Sequence, residues 1–182
     1  MRLPNRPARL WDELFPLILP PAEDDGLGVA LLNSNADTNF SFTNALGMIP
    51  AGHARRLTAA FDHYPKARWI VALHHHLIEY PTPVVAFSER VGTALVNGSW
   101  FERVLKPYAE RVVVMHGHRH VDWIAACGRL KIVSAPSPVM VPDSEPTHFY
   151  IHGLAPGPDG SLALMTPERI DLAAAEERAA GV

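Results

Sequence analysis

Histidine is the residue type best placed to do chemistry in this chain, and its spacing is uneven. Of 10 histidines, three stand consecutively as His74-His75-His76, and three more alternate in His116-Gly117-His118-Arg119-His120. Each run directly follows an apolar segment, Arg68 to Leu73 in one case and Val112 to Met115 in the other. Neutral imidazole is a good ligand for borderline divalent metals such as Zn, Mn, Fe and Ni. Side chains alternate along an extended segment, so His118 and His120 are expected on one side. Gly117 gives the backbone freedom to turn there. A single His-x-His pair arises readily by chance at this histidine count. The second run after an equivalent apolar segment is what argues for a site.

Those runs need elements to position them. Leu27 to Leu32 is a continuous apolar run leaving through Asn33-Ser34-Asn35, which reads as a buried strand entering a polar loop. Residues 68–73 and 112–115 read as two more buried strands. A helix is expected over 52–64, with Leu57, Phe61 and Tyr64 at near-helical spacing and Pro65 after its end. Ser99-Trp100-Phe101-Glu102 has the form of a capping box opening a helix toward Tyr108. Further on, segments 121–126 and 130–134 flank Cys127-Gly128-Arg129 as a hairpin. Shorter strands are expected near 147–152 and 161–165. Short helices are expected at Ala8 to Leu14 and after a capping Asp171. Strands and helices alternate first and hairpins follow, which predicts an α/β fold with a mixed sheet. If the strands are neighbours, both histidine runs lie at their carboxyl ends, where open α/β sheets bind ligands.

Val71-Ala72-Leu73-His74-His75, followed downstream by Val114-Met115-His116-Gly117-His118-Arg119-His120, resembles the C-terminal half of the calcineurin-like metallophosphoesterase family. The resemblance spans about Leu27 to Met165. It implies a layered α/β sandwich with flanking helices, a two-metal site and hydrolysis of phosphomonoesters or phosphodiesters. By motif, His74 and His118 would bind one cation and His120 the other, with His75 and His76 toward substrate. The family's earlier motifs, Asp-x-His, Gly-Asp-x-x-Asp and Gly-Asn-His-Asp/Glu, do not occur. The aspartates before His74 are Asp12, Asp24, Asp25, Asp37 and Asp62, and none has the required neighbours. The expectation is therefore residues 1–26 as an extension or linker and 27–182 as the back half of a catalytic domain, inactive alone. A fragment, a gene model started too late and one chain of a split protein all fit. Without the bridging carboxylate, at most one cation per chain is expected, because two close cations repel strongly.

Composition limits the alternatives. The chain has 182 residues, 48% hydrophobic and 19% charged, so it can bury one sizeable core. Its net charge of −3 disfavours DNA binding. One cysteine, Cys127, excludes an internal disulfide and a Cys-rich zinc site. No membrane span is readable in the sequence, and a cytoplasmic location is the expectation. Apolar strand faces left uncovered by a missing half predict either that half as partner or self-association. Two other functions compete: a non-catalytic binding or assembly module that retains the histidines, and a mononuclear metalloenzyme using His74, His118 and His120. Asn33, Asn35, Glu79, Tyr80, His116 and Arg119 gain interest only from their position beside the runs. His53, His63, His148 and His152 belong to no run.

Overall fold

The computed structural model describes residues 13–35, 47–79, 94–139 and 146–172. Its frame is one six-stranded sheet in the order β1-β2-β3-β4-β6-β5. β1 is Leu17–Leu19, β2 Leu27–Leu31, β3 Arg68–Ala72, β4 Val112–His116, β5 Trp123–Cys127 and β6 Leu130–Ser134. The pairs β2–β3, β3–β4 and β4–β6 are parallel. β1 and β5 close the two edges antiparallel to their neighbours. The expected mixed α/β fold is present.

β3 and β4 lie in the middle of the sheet with both faces covered, the usual condition of parallel strands, while β2 beside them is buried on one face and keeps Leu27 44% exposed. One face, carrying Trp69, Val71, Val112, Val114 and Ile132, packs in a single core with Leu57 and Phe61 of helix α1 (Ala51–His63) and with Phe101 and Leu105 of helix α2 (Gly98–Leu105). The alternate residues Ile70, Val113, Met115 and Val133 face a small hairpin, β8 (Leu154–Pro156) with β9 (Leu162–Leu164), through Leu154, Leu162 and Leu164. A second two-stranded ribbon pairs β7 (His148–Ile151) with β10 (Glu168–Asp171). Arg111 ties α1 to the base of the sheet. Its guanidinium donates to the carbonyls of Phe61, Tyr64 and Ala67 at 2.9 to 3.1 Å and lies over the Phe61 and Tyr108 rings.

Several local expectations need correction. The Ser99–Glu102 capping box is not used. α2 begins two residues earlier, with Asn97 rather than Ser99 at its N-cap, and no side chain caps it. The Asn97 amide instead bonds both backbone groups of Ile49, donating at 2.8 Å and accepting at 3.0 Å. Beyond Leu105 the chain tightens into a 3₁₀ segment over Lys106–Arg111. The N-terminal extension contributes β1 to the sheet. Asp171 ends a strand, and the helix expected after it lies outside the described residues, as does most of the Ala8–Leu14 helix.

β2 approaches β3 closely at Gly28, where an added Cβ would lie 2.5 Å from the Trp69 ring. Trp69 is fully buried and sits against Phe61, so it has nowhere to retreat. Gly28→Ala is expected to lower the unfolding free energy by about 1–3 kcal/mol in denaturant titration. An unchanged midpoint would show that the ring can move aside.

Candidate metal centre

β2, β3 and β4 run in the same direction, so their carboxyl ends meet at one edge. The ladder continues into the loops: Leu32 N–H donates to Ala72, Leu73 N–H to Met115 and Gly117 N–H to His74, at 2.9 to 3.2 Å. This stitching brings residues 73–76 beside 116–118 although some forty positions separate them.

His74 Nε2 and His118 Nδ1 lie 2.8 Å apart, with the rings nearly perpendicular at 72°. His75 completes the group, its ring centroid 4.9 Å from His74 and 4.8 Å from His118. One donor atom from each of the three lies within 4.8 Å of the others. No carboxylate or thiol joins this group among the described residues.

The His74–His118 pair fits a divalent cation. At metal–nitrogen distances near 2.1 Å, two imidazoles stand about 3.4 Å apart in a tetrahedral site and about 3.0 Å apart at adjacent octahedral corners. The observed spacing needs only a few tenths of an ångström of opening. Two neutral imidazoles at this distance share one proton between facing nitrogens, and a cation would take that proton's place. Burial, with lesser effects from His118 and His120, holds the His74 pKa below the ordinary histidine value, which favours the neutral form that ligates.

The 117–120 loop departs from the extended chain expected of it. His118 has φ 76° and His120 φ 56°, both left-handed. Gly117 is not among the positive-φ residues, so the histidines rather than the glycine take the unusual geometry. Such backbone costs of order 1–3 kcal/mol per residue and concentrates at functional sites. His120 is exposed and stands outside the three-donor group, near enough for its charge to depress the His74 pKa.

Of the five histidines singled out from sequence, His74, His75 and His118 come together. His76 is fully buried behind them, its ring 5.9 Å from that of His116. Burial first, then the neighbouring histidines and Arg119, push its pKa down to about 3. His116 is buried as well, and burial lowers it to about 4. Both are neutral packing residues of the site's floor at physiological pH. A cleft of ≈ 430 Å³ opens beside His74, lined by Phe15, Leu32, Asn33, Ser34 and Asn35. Tyr80 lies outside the described residues.

Ser34 is the site residue that sequence reasoning passed over. Its hydroxyl lies 2.9 Å from His75 Nδ1, and the backbone N–H groups of His74 and His75 both donate to it at 3.3 Å. The only signal was its place in the polar exit of β2. His148, by contrast, belongs to a separate cluster, its Nε2 3.2 Å from an Asp122 carboxylate oxygen that also accepts from Tyr150.

No helix among the described residues is long and apolar enough to cross a membrane. No family model matches the chain, and no curated protein matches it. Among solved structures, the chain is similar to a protein from Staphylococcus aureus provisionally assigned as a 5′-nucleotidase and crystallised with α-ketoglutarate. Sequence identity is 12% and the TM-score 0.45, with 81% of this chain and 28% of that one covered. The chain thus spans less than a third of that protein's length, and a likeness at this level carries no argument about function.

Proposed function

We propose that this chain supplies the histidine side of a divalent-metal centre that hydrolyses phosphoesters. The observation that carries the reading is the facing pair, His74 Nε2 and His118 Nδ1 at 2.8 Å, on the carboxyl edge of a parallel sheet. His74 and His118 hold the cation, and His120 extends the set on the exposed side. A bound divalent cation supplies Lewis acidity toward a phosphoryl oxygen and lowers the pKa of water. His75 forms the inner wall, His76 and His116 back it as neutral rings, and the Asn33–Asn35 cleft offers polar groups to a substrate. The family's carboxylate motifs are absent from this sequence, so the site holds one cation and needs further ligands for turnover.

The test is metal analysis of the purified chain for Mn, Fe, Zn and Ni, beside hydrolysis of bis(p-nitrophenyl) phosphate. Both are repeated on a polypeptide extended upstream in its reading frame. The expected result is at most one cation on the 182-residue chain with background hydrolysis, and turnover only in the extended form. Two tightly held cations with turnover from the chain alone would overturn the half-site reading. A cation bound without turnover in either form would favour the binding module.

A further inference from the structure

We propose that Ser34 fixes the tautomer of His75 and thereby withholds His75 from the cation. The inference rests on the reading of His74 and His118 as the ligand pair.

Among the described residues, three groups meet the Ser34 hydroxyl, which is 1% exposed. Two are the backbone N–H groups of His74 and His75, at 3.3 Å each. The third is His75 Nδ1, at 2.9 Å. A hydroxyl has two lone pairs and one hydrogen. An amide N–H can only donate, so the two amides take the lone pairs. The hydroxyl hydrogen then goes to His75 Nδ1, which must accept it. A neutral imidazole accepting at Nδ1 carries its proton on Nε2. The opposite assignment sets three N–H donors against one oxygen and leaves a buried O–H without an acceptor among the described residues. The ring is also held in place from the side, because Gly47 presents bare backbone to it and any Cβ there would overlap the ring at Cγ and Nδ1.

The consequence separates His75 from its two neighbours. Its Nδ1 lone pair is committed to Ser34, and its Nε2 bears hydrogen, so neither nitrogen offers a pair to a metal. His74 and His118 turn ligating nitrogens toward each other. Three imidazoles therefore converge, yet two are ligands and the third is a hydrogen-bond donor. A two-imidazole set leaves coordination positions open for water and substrate, as a catalytic centre requires and a closed structural site does not. Ser34 is a positioning residue acting through His75.

The experiment is long-range proton–nitrogen NMR on the ¹⁵N-labelled, metal-free full chain at about pH 8, above the ordinary histidine range. His75 is assigned by its loss in His75→Gln. The expected pattern is a pyridine-type Nδ1 and a pyrrole-type Nε2 on His75. Ser34→Ala should give mixed tautomers, and Ser34→Thr, which keeps the hydroxyl, should restore the pattern. A pyrrole-type Nδ1 in the unsubstituted chain would overturn the lock without recourse to any variant. Zn²⁺ titration provides the second arm. His75→Gln should leave affinity within about 3-fold, while His118→Gln should lower it by more than the roughly 10–100-fold that loss of an outer partner costs. Equal losses in the two variants would make His75 a ligand and overturn the proposal. A chain that binds no Zn²⁺ at all would overturn the ligand-pair reading, while the His75 nitrogen pattern would still decide the lock.

Discussion

His118→Ala is expected to abolish divalent-cation binding, lowering affinity by more than about 100-fold, the upper range for loss of an outer-shell partner. His118 supplies one of the two nitrogens that face each other at 2.8 Å. No carboxylate among the described residues joins the donor group to take its place. His118 also occupies left-handed backbone, so its replacement could act through loop geometry instead. His74→Ala separates the two causes, since His74 is not among the positive-φ residues and should show the same loss. His148→Ala should leave affinity unchanged, because that ring is engaged with Asp122 and the Pro146 carbonyl. Calorimetric titration with Zn²⁺ or Mn²⁺ above pH 7 reads all three. Retained affinity in His118→Ala would move the metal centre elsewhere.

Stability of the metal-free chain is expected to fall steeply between about pH 6.5 and 4.5. His116 and His76 are held neutral by burial, with pKa values of about 4 and about 3 in the fold. In the unfolded chain both titrate near 6.5. Below that value the unfolded state takes up protons that the folded state refuses, so acid favours unfolding. The stability these rings contribute is fully present above pH 6.5. It declines as pH falls and levels off only below their folded values. For His116 the whole window amounts to roughly 3 kcal/mol, a large part of the 5–15 kcal/mol typical of a domain. Melting temperatures compared between about pH 7.5 and 5.5 read the histidine part of this slope, above the ordinary carboxylate values of about 3.9 to 4.3. A flat profile would mean that the floor admits protons without unfolding.

Much of this architecture is legible in the sequence, for identifiable reasons. Residues 68–73 and 112–115 are largely apolar without alternation because β3 and β4 are covered on both faces, and such runs mark the centre of a parallel sheet; 27–32 shows the same run although Leu27 stays exposed. Their polar exits marked the edge where the histidines meet. The hairpin turn at Gly128, with φ 62°, followed from a glycine between two short apolar runs. What could not be read depends on distant partners. Ser34 and His75 are 41 positions apart, and nothing local announces their bond. Asn97 displaced the Ser99 capping box because Ile49, 48 positions away, needed both of its amide groups. β1 is three residues long between Pro16 and Pro20, too short to show a period. The left-handed turns at His118 and His120 do not show in the sequence, because histidine, though commoner there than most side-chain residues, still takes that geometry only rarely.

Those two turns narrow what substitution can do at these positions. Left-handed backbone is readily taken by glycine and, among side-chain residues, best by asparagine, aspartate and histidine. Ligation by imidazole is open to histidine alone. On the proposed ligand role of His118, fold and chemistry ask for the same residue there on unrelated grounds, and no second amino acid meets both demands. A saturation library scored for folding should accept asparagine and glycine at either position. Scored for metal retention, it should accept only histidine at 118. The gap between the two profiles measures directly how much of this loop is kept for its shape and how much for its nitrogen atoms.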